Sequence, residues 1–272
     1  MNQRIVMPMY IPTLTTEAGS CLTLANWQEV GVRAVSYHLE ALLLKPGISL
    51  LKSLPHLKAY IPWQGSIVLN AALPPAKQGQ YTVRSPYDGS VMQISQDEVA
   101  CLVEKLQPDI VVLPIDFDPG LMRSFTKTSQ IFTIPELHVE QQFGWYLPYE
   151  PSLSFIALQE KIKRYNTTPI YLAGDFDLQQ LAALTQYDSL MIESNLPAQH
   201  AFSGKVYYEG GVLDLCADEI AHQQVVIDRH CKCPTCEQQL TRAYLHHLIN
   251  QTPLLCQRLL IQHNAYYYQN CY

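Results

Sequence analysis

Charge is the scarcest ingredient of this 272-residue chain: Asp, Glu, Lys and Arg together make up only 15% of it. The basic residues number 18 against 24 acidic ones, a formal net charge of −6. A surface built to grip nucleic acid carries its phosphate contacts largely on Lys and Arg, so composition offers no basic footprint for RNA or DNA. Low-complexity tracts, blocks of like charge and internal repeats are also missing. Long hydrophobic runs are lacking. The longest, such as Ala41 to Leu44 and Ile110 to Pro114, are far too short for a bilayer-spanning helix, so no membrane partner is expected. The N-terminus has one early Arg but no continuous apolar stretch followed by a small-residue cleavage site, which argues against a secretory signal and for the cytoplasm. No Gly-rich phosphate loop marks a dinucleotide-binding crevice.

What is present is hydrophobic: 48% of residues, enough for a large core and a compact globular protein. Short apolar, β-branched runs alternate with helical stretches, the pattern of a βα architecture with a parallel sheet. Expected strands are Ile5–Ile11, Ala34–Tyr37, Ser66–Leu69, Asp109–Pro114, Gly144–Leu147, Ser154–Leu158, Ile170–Ala173 and Ser189–Ile192. Between them, Gln96–Lys105, Gln159–Arg164 and Leu178–Leu184 carry apolar residues at helical spacing. Strands in this series predict an irregular or incomplete (β/α)8 barrel of the TIM type over residues 1–200. After Glu193 the pattern changes to a hairpin, Lys205–Leu215, turning at Gly210 and Gly211. Two helices, Gln238–Asn250 and Pro253–Tyr268, close a second region, 201–272.

The eight cysteines are unevenly placed. Cys231, Cys233 and Cys236 crowd into six residues while Cys21, Cys101, Cys216, Cys256 and Cys271 are scattered, unlike a disulfide framework. Three thiolates on one tight loop supply most of a tetrahedral zinc site. His263, on the inward stripe of the last helix with Leu259 and Leu260, is the best fourth ligand, with His230, His246 and His247 as alternatives. Four protein ligands make the zinc structural, with no position open for a catalytic water.

Cys-x-Cys-x2-Cys, followed by Thr241-Arg242-Ala243-Tyr244-Leu245-His246-His247-Leu248 and then His263-Asn264, resembles the C-terminal zinc module of the tRNA-guanine transglycosylases (the queuine/archaeosine tRNA-ribosyltransferase superfamily). Upstream landmarks appear in the family's order: Met7-Pro8-Met9-Tyr10-Ile11-Pro12, then Ser36-Tyr37-His38-Leu39 with Lys45-Pro46-Gly47. Ser85-Pro86-Tyr87-Asp88-Gly89-Ser90 follows, and then Pro169-Ile170-Tyr171-Leu172-Ala173-Gly174. The resemblance implies that His263 is the fourth ligand. It also implies base exchange in tRNA, in which a carboxylate attacks the ribose C1′, guanine leaves and a 7-deazaguanine takes its place.

Set beside the family pattern, the chain is shortened and diverged. Glu193, in Met191-Ile192-Glu193-Ser194-Asn195-Leu196-Pro197, stands where the family has its aspartate nucleophile; read without the family, it is a strand-end carboxylate free to form a salt bridge or a cap. The family's Asp-Ser-Gly-Gly appears as Asn70-Ala71-Ala72-Leu73, so Asn70 replaces a general acid/base carboxylate. For the base-reading aspartate that follows Asp109-Ile110 in the family pattern there are two readings: Asp116 with a one-residue shift (Asp118 a weaker candidate), or its loss. The Gln-Gly-Gly and Gly-Gly-Leu loops have no counterpart, although Phe143-Gly144-Trp145-Tyr146 stands about where the first would begin. Ala198 and Gln199 replace the arginines that follow Leu-Pro. Three functions are expected in competition: a diverged enzyme of queuosine-type tRNA modification, a non-catalytic pseudoenzyme that pairs with an active transglycosylase homologue, and a deazapurine-base binder. The resemblance also implies a dimer, for which Tyr266, Tyr267, Tyr268 and Tyr272 offer an aromatic face.

Overall fold

A computed structural model describes residues 9–124, 129–137, 142–150 and 152–270. In chain order its strands are β1 (Met9–Ile11), β2 (Ala34–His38), β3 (Ser66–Asn70), β4 (Gln80–Arg84), β5 (Val91–Ser95) and β6 (Ile110–Val112), followed by β7 (Gln130–Thr133), β8 (Gly144–Pro148), β9 (Ile170–Ala173), β10 (Leu190–Glu193), β11 (Lys205–Tyr208) and β12 (Gly211–Asp214). Eight of them share one sheet in the order β1-β10-β9-β8-β7-β6-β3-β2. The ladders β2–β3, β3–β6, β6–β7, β7–β8 and β8–β9 are all parallel. Ile170 N–H donates to Ser189 O and Gly174 N–H to Glu193 O, the equal four-residue step on both strands that a parallel β9–β10 pair requires.

Every neighbour in this order is the next barrel strand along the chain, and the last, β10, lies beside the first, β1. That is the order of a (β/α)8 barrel, with no strand-order reversal of a doubly wound sheet. The ends of the order are β1 and β2, and among the described residues no ladder joins them. Strands buried on both faces read as unbroken apolar runs, as Ile110–Val112 and Leu190–Glu193 do. Gly144 opens β8 because a Cβ there would collide with the Pro169 carbonyl and lie 2.7 Å from the Phe132 ring.

Two compact units can be distinguished. One comprises residues 34–173 and 189–191, with β2 to β9 and the first half of β10. It contains the antiparallel β4–β5 hairpin and the helix Gln96–Leu106. Ser95 caps that helix: its hydroxyl accepts from Glu98 N–H at 3.1 Å, and the Glu98 carboxylate accepts from Ser95 N–H at 3.3 Å. The other unit comprises residues 1–33, 174–188 and 192–272. Its centre is the long helix Pro253–Asn270, which packs on the helices Leu196–Phe202, Pro234–Glu237 and Arg242–Gln251 and on β11. Cys256, Tyr268 and every residue from Leu260 to Ala265 are buried, a face too wide for an amphipathic surface helix.

Some sequence expectations need correction. Ser154–Leu158 is no strand but the start of the helix Phe155–Tyr165, whose buried Leu158 and Ile162 sit one helical turn apart. The eighth barrel strand is β7, which the sequence reading passed over, as it did the β4–β5 hairpin. Of the expected opening strand, residues 5–8 lie outside the described residues, and Met9–Ile11 is a strand. The aromatic face also changes. Tyr268 is fully buried and donates to Phe176 O at 3.0 Å, Tyr266 and Tyr267 are half-buried, and Tyr272 lies outside the described residues.

Candidate metal centre and barrel site

Cys233 caps the short helix Pro234–Glu237, and its Sγ accepts from Cys236 N–H at 3.3 Å. The proline between them has no N–H to leave unpaired at the helix start, so Cys233 and Cys236 point to one side of a tight turn. The Thr235 hydroxyl donates to Leu259 O at 2.6 Å, fixing the turn to the long helix one turn before His263. There the His263 Nδ1 lies 3.6 Å from Cys231 Sγ and 3.3 Å from both Cys233 Sγ and Cys236 Sγ. A tetrahedral centre with Zn–S near 2.3 Å and Zn–N near 2.0 Å separates sulfur from nitrogen by about 3.5 Å. All four donor atoms lie within 4.8 Å of one another, and this group could hold a metal ion.

The surroundings prepare the imidazole for that task. His263 is fully buried and its Nε2–H donates to Tyr207 O at 2.7 Å, which leaves the Nδ1 lone pair facing the sulfurs. The next residue, Asn264, is fully buried too. It accepts from Tyr207 N–H at 3.0 Å and donates to Pro197 O and Lys205 O at 3.1 and 2.9 Å, binding the long helix to β11 and to the helix after β10. Hydrogen bonds from the Cys231 and Cys236 thiols hold Cys233 down to about 4, while the hydrogen bonds of the Cys236 thiol to Cys231 and Cys233 push it up. A bound dication would favour the ionised form of the sulfurs that ligate it. Of the four residues only Cys231 is partly exposed, and it lines a cavity of about 490 Å³ together with Glu209, Asp228, His230 and Lys232.

The barrel candidates lie at strand ends. Glu193, only 4% exposed, closes β10, where Thr13 Oγ1 donates to its Oε1 at 3.5 Å. A second carboxylate bonds the two residues that follow Glu193. Asp175, just after β9, accepts from the Ser194 hydroxyl and Asn195 N–H at 3.3 Å each. Parallel neighbours β9 and β10 bring their C-terminal ends together, so Gly174-Asp175 was legible as a site position once that pairing was known. Thr16 Oγ1 completes the cluster by donating to Asn195 Oδ1 at 2.8 Å.

Asn70 and Asp116 belong to the other unit. The Asn70 Oδ1 accepts from Ala72 N–H at 3.0 Å, two residues on, in an Asx-type turn at the end of β3. The Asp116 carboxylate accepts from Ala76 N–H at 2.6 Å and from the Tyr81 hydroxyl at 3.2 Å, tying the loop after β3 and strand β4 to the loop after β6. Asp118 accepts from Gly120 N–H at 2.8 Å within its own loop. Ala198 is 2% exposed, so its position faces inward in its own unit.

The sequence model of the queuine tRNA-ribosyltransferase family matches residues 1–130 and 149–272. A queuine tRNA-ribosyltransferase of Acinetobacter baylyi is 23% identical over 318 aligned residues, which cover 96% of this chain and 81% of that protein. One from Nitrosomonas eutropha is 24% identical, covering 97% of this chain and 87% of its own length. One from Clostridium acetobutylicum is 31% identical over 100 residues, 37% of this chain and 26% of that protein. The alignment of 318 residues is longer than the 272 of this chain, so the Acinetobacter protein carries stretches without a counterpart here. Residues 131–148, which the family model leaves out, hold most of β7 and all of β8.

Proposed function

Since this chain belongs to the queuine tRNA-ribosyltransferase family, we propose that it is a diverged, transglycosylase-like zinc protein of 7-deazaguanine (queuosine-type) tRNA modification that does not perform standard guanine exchange by itself. Asn70 carries this reading. An amide stands where the family pattern has a carboxylate, and its oxygen accepts the Ala72 N–H at the end of β3. A carboxamide neither gives nor takes a proton near neutral pH. Asp116, the proposed base reader, spends an acceptor of each oxygen on Ala76 and Tyr81, and so supports a loop as well as any base. Glu193 is the candidate nucleophile, one methylene longer than aspartate. Zinc, held by Cys231, Cys233, Cys236 and His263, has a structural role: it closes the module of residues 201–272 appended to the barrel of residues 1–200.

Within this reading the chain acts as a non-catalytic partner of an active transglycosylase homologue, or as a homodimer. Tyr244, Leu254 and Leu255 are exposed on the helices Arg242–Gln251 and Pro253–Asn270, which supports pairing through the module. A second reading, base chemistry on a different substrate, is favoured by one observation: the buried Glu193 with Asp175 at the neighbouring strand end. No helix of the described residues is long and apolar enough to cross a membrane. The experiment that separates the readings is exchange of radiolabelled guanine into bulk tRNA, with the chain alone and with a catalytic homologue added. Stimulation of the homologue supports the partner role, and family-like exchange by the chain alone sinks the proposal.

A further inference from the structure

Three of the four metal donors are sealed: Cys233 and His263 are 0% exposed and Cys236 is 3% exposed. The fourth, Cys231, is partly exposed and forms part of the wall of the 490 Å³ cavity. His230, the residue before it, lines the same cavity and is exposed. A further cavity of about 290 Å³ also includes His230 in its lining, so this exposed residue borders open space on more than one side. Its backbone is anchored, because His230 N–H donates to Asp228 Oδ1 at 2.8 Å, while no side-chain bond to its ring is formed among the described residues. A donor residue on a cavity wall, beside an exposed histidine that lines the same cavity, is an arrangement suited to ligand exchange.

We propose that Cys231 is the exchangeable ligand of the metal centre and that the cavity it lines is the route by which the ion enters and leaves, with His230 as the stand-by ligand. This rests on the reading that the Cys3His group holds zinc. With a metal bound, Cys231 would be the donor released, as a thiol whose proton comes from a solvent acid, and one His230 ring nitrogen would offer its lone pair in exchange, while Cys233, Cys236 and His263 would keep their places. The charge of the cavity favours a cation. Glu209 and Asp228 face one ammonium, Lys232, and neither carboxylate forms an ion pair among the described residues. Three thiolates and a dication add a further negative charge behind them.

The test uses the full, metal-loaded chain. Elemental analysis comes first, since a folded, metal-free protein defeats the zinc reading itself, separately from the exchange route. With zinc present, limiting N-ethylmaleimide is added and alkylation of each cysteine is followed by peptide mass spectrometry, with exposed Cys101 and Cys216 as internal references. Cys231 is expected to react well before Cys233 and Cys236. Equal rates for all three would mean that the module opens as a whole, and would overturn the proposal. Transfer of zinc to a chromophoric chelator supplies the second readout. His230→Ala is expected to slow transfer several-fold with the zinc stoichiometry unchanged, and an unaltered transfer rate would remove His230 from the route.

Discussion

At the scale of single residues, the four side chains that could hold a metal ion were readable because ligand chemistry dictates residue type and short spacing, and three of them lie within six positions. Their value to the fold is testable. Cys233→Ser removes a buried donor that also caps the turn, so bound zinc is expected to fall far below one per chain and the C-terminal helices to lose well over ~3 kcal/mol. Elemental analysis and chemical denaturation check both. The task of Asn264 is not legible in the sequence, because partners 57 to 67 positions away reveal themselves only after folding. Asn264→Ala leaves one buried N–H without its acceptor and removes the donor from two carbonyls, a cost of roughly 2–4 kcal/mol. Unlike Cys233→Ser, it is expected to leave zinc binding intact, as denaturant midpoints with parallel metal analysis would reveal. Tyr37 makes a pH prediction. Burial, then the nearby Tyr60 charge, raises it from 10 to about 12. Its contribution is therefore whole below pH 10 and drains away as pH rises from about 10 to 12, on the order of 2 kcal/mol. Tyr37→Phe should flatten the alkaline limb of a stability–pH curve. A limb of unchanged slope would refute that assignment.

At the scale of elements, the readable pieces were those whose local signals agree. Leu178–Leu184 and Ile170–Ala173 were anticipated to the residue, and Gln96–Leu106 to within one, since Val99, Leu102 and Val103 recur at helical spacing. Ser95→Ala is expected to cost about 1 kcal/mol, measurable by urea titration, because it strips one N-terminal N–H of its acceptor. Mistakes arose where periodicity was too short to decide. Phe155-Ile156-Ala157-Leu158 reads as a strand by residue type, yet its continuation to Tyr165 buries only Leu158 and Ile162. Gln130–Thr133 contributes just four residues to the sheet, too few for an alternation count to single out. The β4–β5 hairpin escaped because Ser85–Ser90 was read as a family landmark rather than as the turn it is: Ser85 N–H donates to Ser90 O at 2.8 Å and Gly89 N–H to Ser85 O at 3.0 Å. Such errors concern which segments supply eight strands, not whether eight exist.

At the scale of the whole molecule, the barrel was legible because strand and helix signals alternate in series, and the family because its landmarks keep their order over most of the chain. Activity is not legible in the same way, since it depends on a few atoms at strand ends. The last prediction lives here: this chain alone will not exchange guanine into tRNA at a family-like rate. An absent acid/base group typically costs a factor of roughly 10² to 10⁴, and Asn70 provides an amide at that position. Ala198 and Gln199 offer no cation to a phosphate where the family has arginines, and phosphate contacts carry a large share of RNA affinity at physiological salt. The surplus of acid over base, 24 residues to 18, works in the same direction. Against these stands Glu193, buried to 4% exposure at the end of β10 with a threonine hydroxyl on its carboxylate. A carboxylate there can still attack a sugar carbon if a substrate reaches it, even if the extra methylene misplaces it by ~1 Å at a cost near a hundredfold. A single-turnover reaction resolved on denaturing gels decides the matter, with the native chain and Glu193→Gln run side by side. No trapped RNA–protein adduct is expected from either. An adduct formed by the native chain and lost in Glu193→Gln would instead make Glu193 a working nucleophile and this chain an enzyme with a substrate of its own.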